Sequence, residues 1–246
     1  MEIYRTKLKK EILCEFVEPQ IKSKEVKALI LASGLPSMPK KDETLEFWSK
    51  KGYWVFFPRY RGTFESDSEL LQKSPAKDVL DTVDAIQKGF SELWGGKKFS
   101  PKFSKIYVLG RSFGGGSAIY AGLNKEVTKA VAICPVIDWR EPSEIEPLPE
   151  LGRFLKVAWG NMYRFKNENW KKLIDGKIYN PISEIEKLPT GKVLIIHAKD
   201  DEVVPYQPTK EFCDKTGAKL ITLKSGGHDF RLLPKFYKTI DKFFNS

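Results

Sequence analysis

A serine lies at the centre of a glycine-rich segment that directly follows an apolar run. Residues 110–116 read GRSFGGG, which contains the pattern G-x-S-x-G around Ser112, and residues 105–109 read KIYVL. This order predicts a strand, a sharp turn that carries the serine, and a helix behind the turn. Glycines flank the serine because side chains there would collide with the strand and the helix. The pattern predicts that Ser112 is a nucleophile that attacks a carbonyl carbon.

A serine hydroxyl is a poor nucleophile unless a neighbouring base removes its proton. The chain has two histidines, and only His228 follows both the serine and a candidate acid in the order that this arrangement requires. His228 lies in the glycine-rich loop SGGHDF at 225–230, after the strand-like run at 219–223. We therefore predict that His228 is the base. We predict a structural role for His197, with a hydrogen bond near a strand end.

An acid should orient the histidine, and it should follow the apolar run at residues 193–196. The loop there reads KDDEVVP and offers three carboxylates, Asp200, Asp201 and Glu202. The acid would fix the tautomer of the histidine and stabilise its charged form without itself taking a proton. Moving the carboxylate by one position along the chain would aim it away from the imidazole, so we expect one of the three residues to be the acid of the triad.

Several further segments resemble the α/β-hydrolases, and more closely the catalytic domain of prolyl oligopeptidase-type serine peptidases. GYWVFFPRYRGT at 52–63 is similar to the family pattern G-Y-x-V-x-x-x-x-Y-R-G-S/T. ICPVIDW at 133–139 resembles A-P-V-x-D-W, and NPIS at 180–183 resembles the S-P-I that precedes the penultimate strand. The resemblance runs from about the third strand to the C-terminus.

The same resemblance favours one of the three carboxylates. HAKDDEVVP at 197–205 is similar to the H-G-x-x-D-x-x-V-P segment of many α/β-hydrolases. The family aspartate falls on Asp201, with Asp200 as the first alternative and Glu202 as the second. The resemblance therefore implies a triad of Ser112, Asp201 and His228.

An oxyanion hole should accompany the nucleophile. One N–H donor is the amide after the serine, which is Phe113. The second should lie in the loop ASGLP at 32–36, where many relatives have H-G-G-P or H-G-x-P. Depending on the register, that donor is the amide of Leu35 or of Gly34. Prolyl oligopeptidases supply a tyrosine hydroxyl here, and this loop contains none, so ester, thioester and peptide substrates all stay open.

The length of 246 residues and the pattern of apolar runs predict one α/β-hydrolase domain over 1–246. Apolar runs alternate with amphipathic segments from Val26 onward, which predicts a mostly parallel central sheet with helices on both faces. We expect a helix over 75–94 and an extra N-terminal strand over 8–17 at the sheet edge. The apolar residues at helical spacing in the first of these are Val79, Val83, Ile86, Phe90 and Leu93.

A small cap-like insertion is expected over residues 141–180. It opens with a proline- and glutamate-rich stretch at 141–149, which predicts an exposed, extended loop. The basic, aromatic stretch that follows suggests that its aromatic residues form the wall of an acyl pocket. The alternative is that they only pack the insertion onto the domain. These residues are Phe154, Trp159, Tyr163, Phe165 and Trp170.

Composition limits the partners that we expect. The formal net charge of +10 comes mainly from dispersed lysines, which is typical of a solvated surface, and no nucleic-acid-binding motif is present. The three cysteines are odd in number and lack metal-ligand spacing, which favours a reducing, cytoplasmic compartment and no metal or cofactor. No signal peptide or membrane-spanning stretch is recognised. An exposed edge strand would allow a homo-oligomer.

The sequence thus predicts a metal-independent serine hydrolase that acts on a small ester or a short peptide through an acyl-enzyme. No β-propeller segment precedes the hydrolase-like region, so a small-molecule carboxylesterase or thioesterase is an alternative. A non-catalytic binding module is disfavoured because Ser112, Asp201 and His228 are all retained in order. A dienelactone-hydrolase-like enzyme is disfavoured because that family has cysteine at the position of Ser112.

Overall fold

A computed structural model describes residues 1–141, 143, 145–189, 191–228 and 234–246. Within these residues the strands of the main sheet are separated by helices from the third strand onward. The strands are β1 (Tyr4–Leu8), β2 (Ile12–Val17), β3 (Lys27–Ala32), β4 (Tyr53–Pro58), β5 (Phe90–Ser91), β6 (Lys98–Phe99), β7 (Lys105–Arg111), β8 (Lys129–Ile133), β9 (Val193–Ala198) and β10 (Lys219–Leu223). The helices are α1 (Asp42–Lys50), α2 (Pro75–Gln87), α3 (Phe113–Gly122), α4 (Leu148–Ala158), α5 (Asn167–Ile174), α6 (Tyr206–Thr216) and α7 (Pro234–Phe244).

Eight of these strands form one sheet in the order β1-β2-β4-β3-β7-β8-β9-β10. The strands from β4 to β10 in this order run parallel, whereas β2 is antiparallel to both β1 and β4. Strands β5 and β6 form a separate antiparallel pair. The prediction of a mostly parallel central sheet is confirmed.

The sheet separates two apolar cores, and β7 contributes to both. Ile106 and Val108 face one core, while Tyr107 and Leu109 face the other, because successive strand residues point to opposite faces. Residues of α2, α3 and α6 pack in the first core, and residues of α1 and α7 pack in the second. Both faces are therefore covered, which explains why the central strands are almost continuously apolar.

The helix predicted over 75–94 is shorter in the structure. Its stripe of Val79, Val83 and Ile86 is buried as expected, but α2 ends at Gln87. Gly89 follows with φ +89°, a conformation that other residues rarely adopt and that turns the chain out of the helix. Phe90 then lies in the short strand β5 and Leu93 is exposed, so the last third of the predicted helix was wrong.

The N-terminal segment also differs from the prediction. Residues 8–17 do not form one strand: Lys9 and Lys10 adopt positive φ and turn the chain between β1 and β2. These two strands form an antiparallel hairpin, with Thr6 opposite Cys14. Strand β1 lies at the sheet edge, and β2 joins the hairpin to β4.

The segment between β8 and β9 contains α4, α5 and two short 3-10 helices, Gly160–Met162 and Pro181–Lys187. Within the predicted extended loop, Pro142 and Glu144 lie outside the described residues. Trp170 packs α5 against the start of α4 by donating its indole N–H to the Leu148 carbonyl at 2.9 Å. Of the helices in the described ranges, none combines the length and the apolar character that crossing a membrane requires.

Candidate active site

Ser112 stands on a sharp turn between strand β7 and helix α3. Its backbone has φ 53° and ψ −122°, and its N–H donates to the Ile133 carbonyl of β8 at 2.8 Å. A non-glycine residue in this conformation is strained and persists only where the surroundings hold it. The neighbouring glycine is required by space, since a Cβ on Gly114 would lie 2.2 Å from the Ala32 carbonyl oxygen. The turn has the form that the G-x-S-x-G pattern predicts.

The structure brings the three predicted triad residues together from distant parts of the chain. Ser112 Oγ lies 3.0 Å from Nε2 of His228, and Nδ1 of His228 lies 2.9 Å from Oδ2 of Asp201. An ionised carboxylate only accepts hydrogen bonds, so Nδ1 of His228 carries the proton. Nε2 is then free to accept the hydrogen of the Ser112 hydroxyl. This is the geometry that a serine nucleophile and its base require.

Asp201 receives hydrogen bonds at both carboxylate oxygens. Oδ1 accepts the N–H groups of Val203 at 3.0 Å and Val204 at 2.9 Å, and Oδ2 accepts from His228 and His197. Burial alone would raise the pKa of Asp201. The hydrogen bonds outweigh burial and hold the pKa of Asp201 well below its ordinary value, so the carboxylate stays ionised at neutral pH.

The two alternative carboxylates have other surroundings. Asp200 accepts the N–H groups of Gly226 at 3.1 Å and Gly227 at 2.9 Å, which anchors the loop that carries His228. Glu202 is exposed to solvent. Arg111 adds a second anchor by donating to the His228 carbonyl at 3.1 Å. Asp229 and Phe230, which follow His228 in this loop, lie outside the described residues.

His197 is buried at the end of β9, with a hydrogen bond near the strand end as predicted. Its Nε2 lies 3.1 Å from both Asp201 Oδ2 and the Val204 carbonyl, and its Nδ1 lies 2.9 Å from the Thr209 hydroxyl. A carbonyl oxygen can only accept, so Nε2 carries the proton and faces the carboxylate as a donor. The sequence did not predict the direct contact of His197 with Asp201, because a separation of four residues outside a helix does not indicate that two side chains meet.

Both candidates for the second oxyanion donor lie beside the serine. A Cβ on Gly34 would lie 3.5 Å from Cβ of Ser112, so the loop after β3 passes close to the nucleophile. Leu35 and Ser112 line the same cavity. Phe113 follows the serine as the first residue of α3 and is buried.

A largely apolar cavity opens next to Ser112. The predicted wall is wrong for the described lining residues, because none of the five predicted aromatic residues is among them and the large side chains there include Phe113, Trp139, Leu148 and Leu151. For Phe154 the reason is the rotation of α4 about its axis: Leu151 and Leu155 lie on the buried face of the helix, whereas Phe154 is 52% exposed. The cavity is lined by Leu35, Ser112, Phe113, Val136, Ile137, Asp138, Trp139, Glu141, Ser143, Glu146, Leu148, Leu151, Val203, Val204, Pro205 and Pro208.

One group of residues at the site has the composition of a metal site. Ligand atoms of Cys134, Asp201 and His228 lie within 4.8 Å of one another. Burial raises the pKa of the Cys134 thiol, so this group holds its proton and disfavours metal binding. Asp201 and His228 also bond to each other, and His228 bonds to Ser112. The arrangement suits proton transfer to and from a serine better than metal coordination.

Comparison with solved structures shows the same fold. A Pyrococcus furiosus esterase, Pf2001, is 16% identical with a TM-score of 0.73, covering 99% of this chain and 89% of the esterase. A Pyrococcus horikoshii acylaminoacyl peptidase is 18% identical with a TM-score of 0.69, and this chain spans 41% of its length. Mouse alpha/beta hydrolase domain-containing protein 10 is 17% identical with a TM-score of 0.66, covering 100% of this chain and 99% of that protein.

These likenesses establish an α/β-hydrolase fold. No curated protein matches the chain. The family model for the prolyl oligopeptidase family matches residues 39–244, which include the elbow, the acidic loop and the histidine loop. The match spans most of the sequence, and the chain belongs to the prolyl oligopeptidase family.

Proposed function

We propose that the protein is a serine hydrolase that cleaves an ester or acyl-amide bond in a small substrate with an apolar acyl group. The observation that carries this proposal is the hydrogen-bonded series from Ser112 through His228 to Asp201 at the edge of an apolar cavity. Membership of the prolyl oligopeptidase family supports the same reaction class.

In the acylation step, Nε2 of His228 removes the hydroxyl proton as Ser112 Oγ forms a bond to the substrate carbonyl carbon. The carbonyl oxygen gains negative charge in this step. His228 then gives the proton to the leaving alcohol or amine as the bond between that group and the carbonyl carbon breaks. Asp201 stays ionised throughout and stabilises the charged imidazole.

Deacylation repeats the sequence with water in place of the serine. His228 takes a proton from water while the water oxygen bonds to the acyl carbon. As the bond to Ser112 Oγ breaks, His228 returns that proton to the serine. The products are a carboxylic acid and the free enzyme, and no external oxidant, reductant or metal is needed to balance the reaction.

The oxyanion would be held by the Phe113 amide together with the amide of Gly34 or Leu35. Both loops reach this position because β3 and β7 are paired neighbours, with Ala32 opposite Gly110. Donors fixed in place before the reaction stabilise the developing charge without further reorganisation.

The acyl group would lie in the cavity bounded by Trp139, Leu148 and Leu151. Apolar walls favour an alkyl or aryl acyl chain over a small polar one. A carboxylesterase or thioesterase would use this pocket in the same manner as a peptidase, so the leaving group distinguishes the candidates.

A comparison of model substrates tests the proposal. We expect kcat/KM for p-nitrophenyl hexanoate to exceed that for the acetate ester by about tenfold or more, because four more methylenes are buried. Ser112→Ala should lower the rate by about a thousandfold or more. An unchanged rate in Ser112→Ala would refute the proposed nucleophile. A higher kcat/KM for N-acetyl-L-phenylalanine p-nitroanilide than for the esters would point to a peptidase.

A further inference from the structure

A buried tyrosine lies beneath the first turn of helix α3. Tyr179 follows α5 and is 3% exposed. Its hydroxyl accepts the N–H of Ser117 at 2.7 Å and donates to the carbonyl of Phe113. In a regular α-helix these two backbone groups would bond directly, as the pair that closes the first turn. The Tyr179 hydroxyl therefore bridges the turn that directly follows the candidate nucleophile.

Space for this contact is provided by a glycine. A Cβ on Gly116 would lie 3.0 Å from both Cζ and the hydroxyl oxygen of Tyr179, which is closer than side chains normally approach. Burial raises the pKa of Tyr179 well above its ordinary value, so the hydroxyl keeps its proton and can donate at neutral pH. The contact is thus tightly fitted and persistently hydrogen-bonded.

The ring of Phe113 extends the contact toward the other wall of the candidate oxyanion hole. It packs against Tyr179 and Tyr60, with ring centroids 5.1 Å and 5.4 Å apart, respectively. Ser117 Oγ lies 2.8 Å from the Tyr179 hydroxyl. Tyr60, itself buried, donates to the Ser33 carbonyl at 3.1 Å. That carbonyl and the N–H of Gly34 belong to one peptide group, so fixing the carbonyl also fixes the direction of the N–H.

We propose that Tyr179 and Tyr60 are positioning residues that hold the two loops of the oxyanion hole at a fixed separation. The proposal rests on the proposed function. Tyr179 bonds to the carbonyl of Phe113, Tyr60 bonds to the carbonyl of Ser33, and both rings pack on the ring of Phe113. Oxyanion donors act within a narrow range of distances, so a shift of either loop weakens stabilisation of the transition state more than binding of the substrate.

The position of Tyr179 also connects these contacts to the acyl cavity. The indole N–H of Trp139, a cavity residue, donates to the Tyr179 carbonyl at 2.7 Å. The backbone N–H of Trp139 donates to Oδ1 of Asn180 at 3.0 Å. The end of the segment between β8 and β9 thus supports both the acyl wall and the first turn of α3.

The test removes single hydroxyl groups and separates kcat from KM. With p-nitrophenyl hexanoate, Tyr179→Phe should lower kcat by about tenfold with KM within about twofold, because only the transition state uses the hole. Affinity for an alkyl trifluoromethyl ketone, which forms a tetrahedral adduct, should fall by the same factor. Tyr60→Phe should act in the same direction, since it releases the other loop.

The matched control is Tyr120→Phe. Tyr120 stacks on Tyr179 with ring centroids 5.9 Å apart, yet it is not one of the two tyrosines that we propose hold the loops. We expect kcat within about twofold of wild type for this variant. A purely structural role for Tyr179 would lower the melting temperature and leave kcat and inhibitor affinity unchanged, and that result would overturn the inference.

Failure of this inference is distinguishable from failure of the proposed function. Stoichiometric reaction of the wild-type protein with a fluorophosphonate at Ser112 would support the function independently of any tyrosine variant. If the wild type reacts and both tyrosine variants keep the wild-type kcat, the positioning role is wrong and the proposed function stands. If the wild type does not react, both the function and the inference that rests on it are wrong.

Discussion

Two neighbouring aspartates have different environments and therefore different expected roles. Asp201 is buried and accepts hydrogen bonds from two histidines and two backbone amides. Asp200 accepts hydrogen bonds from the N–H groups of Gly226 and Gly227 in the histidine loop. Hydrogen bonds lower the pKa of both carboxylates, but the carboxylate of Asp201 alone contacts the imidazole of His228. Asp201 should orient His228, whereas Asp200 should hold the loop that carries His228.

Substitution of each aspartate by asparagine tests this assignment. We expect Asp201→Asn to lower kcat by about 10³ to 10⁴, because an amide favours the wrong tautomer of His228. Asp200→Asn keeps one of the two oxygen acceptors for the loop, so its kcat should fall by less than about tenfold. Steady-state kinetics on p-nitrophenyl hexanoate, with circular dichroism to verify folding, would measure both. A large loss in Asp200→Asn with a small one in Asp201→Asn would reverse the roles.

At the scale of secondary-structure elements, the site forms where the carboxyl ends of parallel strands meet. Strand β7 leads into Ser112, β9 leads into Asp201 and β10 leads into the loop of His228. Strand β3, the neighbour of β7, supplies the loop with Gly34 and Leu35. Parallel pairing brings these four loops to one edge of the sheet.

The close approach of β3 to α3 predicts a stability effect. Gly114→Ala would place a Cβ 2.2 Å from the Ala32 carbonyl oxygen, so the backbone must shift. We expect the free energy of unfolding to fall by about 1–3 kcal/mol, measured by urea denaturation. In the control Gly95→Ala, the only close contact of the Cβ is the far end of the Glu92 side chain at 3.1 Å, and we expect a change within about 0.5 kcal/mol. Equal stability of the two variants would contradict the close packing.

Sequence patterns predicted those elements that have a recognisable local pattern of their own. The elbow around Ser112, the parallel sheet and the loop of His228 follow from glycine spacing and apolar runs, whereas the choice of Asp201 among three carboxylates came from the family resemblance. The end of α2 was misplaced because Phe90 and Leu93 continue its helical spacing, although Gly89 turns the chain away.

Contacts between distant segments carried no such signal. The apolar wall formed by Leu148 and Leu151 depends on how α4 rotates against the domain, which spacing alone does not fix. The bridge from Tyr179 to Phe113 and Ser117 joins residues more than 60 positions apart. Its ends match no motif, so only the tertiary structure could identify it.

On the scale of the whole molecule, the charge of the apolar cavity differs from that of the surface. The chain carries a formal net charge of +10, yet the charged residues that line the apolar cavity are Asp138, Glu141 and Glu146 among the described residues. Asp138 forms an ion pair with Arg140 at 2.6 Å. Burial raises the pKa of Glu146, whose carboxylate also feels the charge of His228 when that residue is protonated. The basic surface therefore does not predict an anionic acyl group.

This contrast predicts discrimination against acyl groups with a negative charge. Wild type should hydrolyse p-nitrophenyl hexanoate with a higher kcat/KM than the mono-p-nitrophenyl ester of adipate. In Glu146→Gln the ratio of the two values should fall by about fivefold, because one repulsive charge is removed. Glu141→Gln, at an exposed position on the same cavity, should change the ratio less. An unchanged ratio in Glu146→Gln would show that this carboxylate does not influence substrate charge.

The most direct test of the central claim is labelling with a fluorophosphonate, followed by intact-mass measurement and peptide mapping. The reagent modifies a serine efficiently only where a base and oxyanion donors activate it. We predict one adduct per chain on Ser112, and loss of that adduct in His228→Ala. A folded protein that forms no adduct, or that reacts equally well without His228, would contradict the claim that these residues form a working serine hydrolase site.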